Sequence, residues 1–286
     1  TNLRAFPEGT FTLAAAMKSA GYRTAIAGKW HLGGKFEWGP RRYGFDESYG
    51  FLTGAVDPWT HKYRKGDLEE TWNRNDVLVK EEGNATELIA AEAERLIRAQ
   101  RGPWFVYVPF GAVHIPIDAP KEHFQAYDGV RFSPDPAKDD SVRRYAAFVT
   151  QLDAKVGQLV DALKATGQLE NTLIIFTSDN GGIEGGGNPY VGTTKGSPAV
   201  TTNAPLRGWK NQPYEGGMRV NAFVSWPGRL PPGKCVAPLH AADWMPTLCR
   251  LVGASVPADV KFDGLDRWPV LSGAEPQPAP RTIYVP

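Results

Sequence analysis

Apolar positions recurring at three- and four-residue steps mark the longest predicted helix. Tyr145, Phe148, Val149, Leu152, Val156, Leu159, Val160 and Leu163 fall on one face over residues 141–166, and Gly167 ends the run. A shorter helix has Thr10 or Thr12 as its cap, Leu13-Ala14-Ala15-Ala16-Met17 as its body and Gly21 as its stop. Two more are predicted over 85–100 and 243–251. Between them lie short apolar runs that read as strands, at 22–27, 104–108, 172–177 and 220–225. Thr172-Leu173-Ile174-Ile175-Phe176-Thr177 has no polar alternation, which predicts a strand buried on both faces of a parallel sheet. Helices alternating with buried strands predict an α/β fold, with a mostly parallel central sheet flanked by helices. Residues 29–83 show no clear period and read as one long irregular segment, of the kind that lines a site.

Composition narrows the function classes. The 286 residues carry a formal charge of +1, so no bulk field draws the chain to nucleic acid or anionic lipid. The longest apolar stretch, 104–113, is broken by Pro109 and Gly111, which predicts no membrane span. Two cysteines exclude a disulfide scaffold and a thiolate zinc cluster, and Cys235 and Cys249 receive no role. Asp139-Asp140 looks like a metal pair, but it precedes the long helix and reads as N-terminal capping. Asn84-Ala85-Thr86 matches a glycosylation acceptor. With no initiator Met and no charged-then-apolar leader, Thr1 reads as the middle of a longer sequence.

The candidate chemistry sits just past the strands. If extended geometry persists through Gly28-Lys29-Trp30-His31, then Lys29 and His31 share a face, and two potential cations flanked by glycine suit an anion. Ser178-Asp179-Asn180-Gly181-Gly182 follows the most buried strand, where ligands of open α/β sheets collect. Asp179 and Asn180 form a hard-oxygen pair suited to Ca²⁺ or Mg²⁺, although Asp-Asn-Gly-Gly is also a good turn sequence. His114, in Val113-His114-Ile115-Pro116, lies past another strand. Lys210 precedes Glu215-Gly216-Gly217-Met218-Arg219, and Asp57 and His61 stand in the long irregular segment. Such side chains recurring after separate strands predict one site built from several strand ends.

These motifs resemble the sulfatase family of the alkaline-phosphatase-like superfamily, over nearly the whole chain. The stretch Gly21-Tyr22-Arg23-Thr24-Ala25-Ile26-Ala27-Gly28-Lys29-Trp30-His31 is similar to the second sulfatase signature. Its order with His114, Ser178-Asp179-Asn180-Gly181 and Lys210 is more specific still. Gly44-Phe45-Asp46, the segment 54–61, Pro205-Leu206-Arg207-Gly208 and His240-Ala241-Ala242-Asp243-Trp244 resemble the arylsulfatase B-like branch.

The resemblance implies that residues 1–286 are a partial catalytic domain, incomplete at both ends, of a sulfuric ester hydrolase. Asp179 and Asn180 would supply two ligands of Ca²⁺, with Mg²⁺ as the alternative. Lys29 would hold the sulfate and the nucleophile, and His31 would be the base that expels sulfate from the covalent intermediate. His114 and Lys210 would contact the sulfate and the leaving-group oxygen, one helping to protonate it. Asp57 and His61 would bind substrate, a small-molecule or glycan sulfate ester. The compartment implied is extracytoplasmic; the oligomeric state is left open.

The departure from the family pattern lies at the nucleophile. The family makes a formylglycine from the first residue of a Cys/Ser-x-Pro-Ser-Arg motif upstream of the Lys29 region, and two further Asp ligands lie upstream again. No such motif occurs here; Ser225-Trp226-Pro227-Gly228-Arg229 comes too late in the chain, and Cys235-Val236-Ala237-Pro238 lacks the Ser-Arg ending. The 286 residues by themselves are therefore expected to be inactive. Two other readings compete. One is a non-catalytic relative that binds sulfated glycans, the other a phosphatase or phosphonate hydrolase of the same superfamily.

Overall fold

The computed structural model describes residues 2–184, 200–275 and 278–282, so most of the glycine-rich stretch 181–203 lies outside the described residues. The first helix, α1 (Leu13–Ser19), starts where its cap predicts, with the Thr12 hydroxyl accepting from the Ala15 N–H at 3.1 Å. The strand β1 (Arg23–Lys29) follows and is the axis of the molecule. It pairs in parallel with β2 (Glu47–Phe51) on one side and with β5 (Trp104–Tyr107) on the other. Two short strands, β3 (Trp72–Arg74) and β4 (Val77–Leu78), extend the sheet antiparallel, giving the order β4-β3-β2-β1-β5.

Alternation along β1 builds two cores. Ala25 and Ala27 pack with Ile89, Ala93 and Leu96 of α2 (Ala85–Ala99), while Ile26 packs with Ala14 of α1. The long helix α3 (Pro136–Ala165) lies against α2 through Ile97, Ala162 and Leu163. The short α4 (Glu215–Met218) precedes β7 (Ala222–Ser225); α5 (Trp244–Val252) packs beside α1, and α6 (Trp268–Leu271) comes last. The α/β fold with a mostly parallel sheet centre and flanking helices is thus present.

Several boundaries differ from those read in the sequence. Residues 29–83 contain β2, β3 and β4, which polar and glycine positions conceal. Gly50 is needed because, at φ 121°, a Cβ there would stand 2.3 Å from the Gly28 carbonyl oxygen on the paired strand. Helix α3 begins earlier, capped by Asp135, whose carboxylate accepts from the Ala137 N–H at 2.9 Å. Asp139 instead binds the Phe132 and Ser133 N–H groups, and Asp140 pairs with Arg144 at 2.8 Å, so neither faces a metal. Asn84 is 2% exposed and caps α2 through the Thr86 N–H, which removes it as a glycan acceptor.

The strand at 172–177 departs most. It appears as β6 (Ile174–Thr177), pairs antiparallel with β7 in a separate two-stranded sheet, and is half-buried to exposed rather than buried on both faces. The cause is a gap. No described strand lies between β5 and β6, and both face a slot walled by Leu152, Val156 and Leu159 of α3 and by Met17 and Leu248 of α1 and α5. The run does form a strand, but neither the double burial nor the parallel pairing expected of it is present, and no neighbour covers that side among the described residues.

Candidate active site at the strand ends

Strand β1 delivers Lys29 to the carboxyl end of the sheet, and the chain beyond it stays tied to the adjacent strand ends. The N–H of Lys29 donates to Pro109 at 2.8 Å, that of Trp30 to Phe51 at 2.9 Å and that of His31 to Leu52 at 3.0 Å. Extended geometry stops there. His31 has φ 60°, in the left-handed region, so Lys29 and His31 do not share a face by simple alternation. They reach the same cavity because the backbone turns. Close approach at this turn demands glycine at residue 28, where a Cβ would stand 2.2 Å from the Pro109 carbonyl oxygen.

Gly54, just past β2, supports the His31 ring. A Cβ built there falls 2.6 Å from His31 Nε2 and 2.9 Å from Cε1. Gly54→Ala is therefore expected to displace the imidazole and, in the full-length protein, to lower kcat about tenfold or more, since small misplacements of reacting groups cost rate steeply. Thermal unfolding should change little. Kinetics beside calorimetry on one preparation checks this, and an unchanged kcat would mean that the ring position does not matter.

His114 enters from the loop after β5. Its Nδ1 lies 2.8 Å from the Ile115 carbonyl, which can only accept, so Nδ1 carries the proton and Nε2 is left for a ligand. Asp179 and Asn180 follow β6, and Lys210 lies on the loop before α4. The two segments are stitched together: Gly181 N–H donates to Gly217 at 3.0 Å, Lys210 N–H to Gly182 at 3.2 Å, and the Asn203 amide exchanges two hydrogen bonds with Gly182.

Lys29, His31, His114, Asp179, Asn180 and Lys210 line one cavity. At 3610 Å³ it is several times the ~300–1,000 Å³ of a small-ligand pocket, because most of it is the apolar slot between β5 and β6. Its electrostatics follow from the convergence of positive groups. Partial burial, then the charge of Lys29, push the His31 imidazole down to about 4. Burial lowers His114 as well, against the opposing pull of its Ile115 hydrogen bond, with Lys210 and Lys29 adding to the decrease. Burial also lowers the Lys29 ammonium, which Asp179 partly restores and Lys210 depresses further. Tyr107, the last residue of β5, lines the same cavity, and burial and the Asp179 charge raise its phenol. Sequence reasoning passed over Tyr107; its place at the end of a strand beside the candidate residues was the available signal.

Asp57 and His61 are not brought to this cluster. His61 is 4% exposed, stacks on Trp72 with ring centroids 4.4 Å apart, and places Nε2 2.9 Å from the Gly83 carbonyl. Asp57 accepts from the Trp59 and Thr60 N–H groups at 3.0 and 2.8 Å and so shapes its own turn. Both residues hold the loop together.

The donor set fits a hard divalent cation in kind but not in number. Asn180 Nδ2 donates to the Gly181 carbonyl, leaving Oδ1 for a cation, and Asp179 forms no ion pair among the described residues. Ca²⁺ takes six to eight oxygens. No group of three or more His, Cys, Asp or Glu that could hold a metal occurs among the described residues.

The chain is similar to several known proteins over most of its length. Arylsulfatase J of Mus musculus is 32% identical over 95% of this chain and 44% of its own length. N-acetylgalactosamine-6-sulfatase of Homo sapiens is 30% identical over 93% of the chain and 49% of its own length. The chain thus spans about half the length of these curated relatives. Among solved structures, that of Ps i-CgsB in complex with k-i-k-neocarrahexaose superposes with a TM-score of 0.79 at 30% identity, covering 94% of this chain and 59% of that one. The phosphonate monoester hydrolase of Agrobacterium radiobacter, at 19% identity and a TM-score of 0.58, shares the fold. The Sulfatase family profile matches residues 3–254, and on that match, with these relatives, the chain belongs to the sulfatase family.

Proposed function

We propose that the whole protein hydrolyses a sulfate ester of a sugar or an aryl alcohol, and that residues 1–286 form the part of its catalytic domain that holds the sulfate. The observation carrying this reading is the convergence of Lys29, His31, His114 and Lys210 on one cavity, with the carboxylate of Asp179 beside them. Burial first, and repulsion from the neighbouring Lys charges second, disfavour the protonated forms of Lys29, His31 and His114. A sulfate ester relieves that repulsion. Its charge shifts to the bridging oxygen as the S–O bond breaks, where fixed cations stabilise it.

The side chains divide the work. The Lys29 ammonium binds the sulfate oxygens. His31, neutral near pH 7 with its value at about 4, can accept a proton. His114 in its Nδ1-protonated tautomer offers Nε2 as an acceptor, which assigns the leaving-group oxygen to the Lys210 ammonium in the first instance. Asp179 and Asn180 would hold a Ca²⁺ ion, or Mg²⁺ in its place, which when bound polarises the sulfate oxygens. The remaining ligands and the nucleophile, a formylglycine by the family resemblance, would come from sequence upstream of Thr1. On that resemblance we also expect an extracytoplasmic location; among the described residues no helix is long and apolar enough to cross a membrane.

The test uses the chain itself. An anion beside His31 favours the protonated imidazole, so sulfate must raise its pKa, and sulfate must bind more tightly as pH falls from about 6.5 towards 4. NMR titration of the five histidines, with His31→Gln to assign the signal, should give a midpoint near 4 without sulfate and a higher one with it. A midpoint that sulfate does not move would contradict the assignment of an anion site.

A further inference from the structure

We propose that Trp59, tethered to Asp118 on the loop that follows His114, is a stacking platform for an unsulfated sugar ring next to the sulfated one; the proposal rests on the sulfatase reading above. Trp59 is 44% exposed. Single exposed apolar residues are common, so exposure alone decides nothing. What distinguishes Trp59 is how firmly it is held. Its indole Nε1–H donates to Asp118 Oδ2 at 3.0 Å, and its backbone N–H donates to Asp57 Oδ1 at 3.0 Å. Asp57 also binds the Thr60 N–H and hydroxyl, at 2.8 and 3.1 Å. The Asp118 carboxylate is itself oriented, since Oδ1 accepts from the Ala119 N–H at 3.0 Å. Little ordering entropy remains to be lost when a ligand settles on such a ring.

The bridge joins two loops that both start at the site. Gly54, which abuts the His31 ring, leads within five residues to Trp59, and His114 leads within four to Asp118. Between them Val56 and Pro58 line a small cleft together with Ala112, His114 and Ile115, so the loops are packed and not merely adjacent in sequence. Trp59 thus follows Pro58 of that cleft directly, and Asp118 lies two residues beyond its Pro116.

The chemistry of the pair selects the ligand. A pyranose presents a face of C–H groups, which matches an indole face, and an edge of hydroxyls, which the open lone pairs of Asp118 can accept. A second sulfate on that ring would meet the Asp118 carboxylate with like charge, so the ring on the platform is the unsulfated neighbour. An aryl sulfate has no second ring to place there.

The experiment is steady-state kinetics of the full-length protein on three probes: a chromogenic aryl sulfate, a κ-carrageenan oligosaccharide and a keratan-type tetrasaccharide in which sulfated N-acetylglucosamine alternates with unsulfated galactose. Trp59→Ala should lower kcat/KM for a cleaved oligosaccharide roughly 10- to 30-fold, through KM, as truncation of an anchoring Trp does. Its kinetics on aryl sulfate should stay within about twofold. Trp59→Phe, which keeps a ring but loses the tether to Asp118, should fall between the two and covers the case in which the alanine variant folds poorly. Equal losses on both substrate types would make Trp59 a loop brace and overturn the proposal. So would an unchanged oligosaccharide KM, or cleavage of the aryl sulfate with neither oligosaccharide turned over. Failure to cleave any of the three would instead overturn the sulfatase reading on which the proposal rests.

Discussion

Lys210→Ala in the full-length protein is expected to lower turnover of an aryl sulfate by roughly two to three orders of magnitude, the usual loss for one stabiliser of transition-state charge. The residue can be removed without undoing its surroundings. Its loop is held by backbone, through the Lys210 N–H to the Gly182 carbonyl, and by Asn203 bonded to Gly182. Its side chain is half-buried at the cavity wall, so truncation leaves no void in a packed core, and thermal unfolding should hardly move. A second signature separates an electrostatic role from a structural one. Lys210 depresses Lys29, His31 and His114, so all three should titrate higher without it, and the pH–rate profile should shift to higher pH. Turnover within a factor of two of the parent would remove Lys210 from the site.

The second large effect is a total one: the 286 residues alone should give no sulfatase turnover. Covalent catalysis needs an activated nucleophile within reach of its base. Among the described residues no hydroxyl or thiol is hydrogen-bonded to His31 or His114, and Ser178, beside Asp179, donates to the Asn180 carbonyl instead. Asp179 and Asn180 also leave most of a Ca²⁺ coordination sphere to water. The slot between β5 and β6 compounds the deficit. Among the described residues β5 and β6 each leave one edge unpaired, and apolar side chains line the slot between them. Such a chain should still bind sulfate weakly through its cations.

How much of this was legible in the sequence depended on whether the signal was local. The cap of α1 and the extents of α2 and α5 are local patterns, legible to within a few residues, whereas Asn84 resembles a glycan acceptor in sequence and is the α2 cap in the structure. Glu47-Ser48-Tyr49-Gly50-Phe51 was not read as β2, because its glycine serves a close contact with Gly28 on another strand. The burial of β6 is less than its sequence suggests for a related reason: an apolar run reports what a strand prefers, and among the described residues no neighbour covers its open side. The site behaved similarly. Lys29 and Asp179 stand near glycines at strand ends and Lys210 in a glycine-rich loop, and such glycines are visible in one dimension. His61 could not be separated from them without three dimensions, since only the stack on Trp72 shows that it serves the core.

Hydrolysis of a chromogenic aryl sulfate, measured beside the matching aryl phosphate, tests the central claim most directly. The two proteins to compare are the 286-residue chain and the same chain extended through its upstream sequence, each with and without added Ca²⁺. No turnover of either ester is expected from the chain, and Ca²⁺-stimulated turnover is expected from the extended protein, with kcat/KM favouring sulfate. Sustained sulfate turnover by the chain alone, a preference for phosphate, or an extended protein that binds sulfate but cleaves neither ester would each contradict the claim.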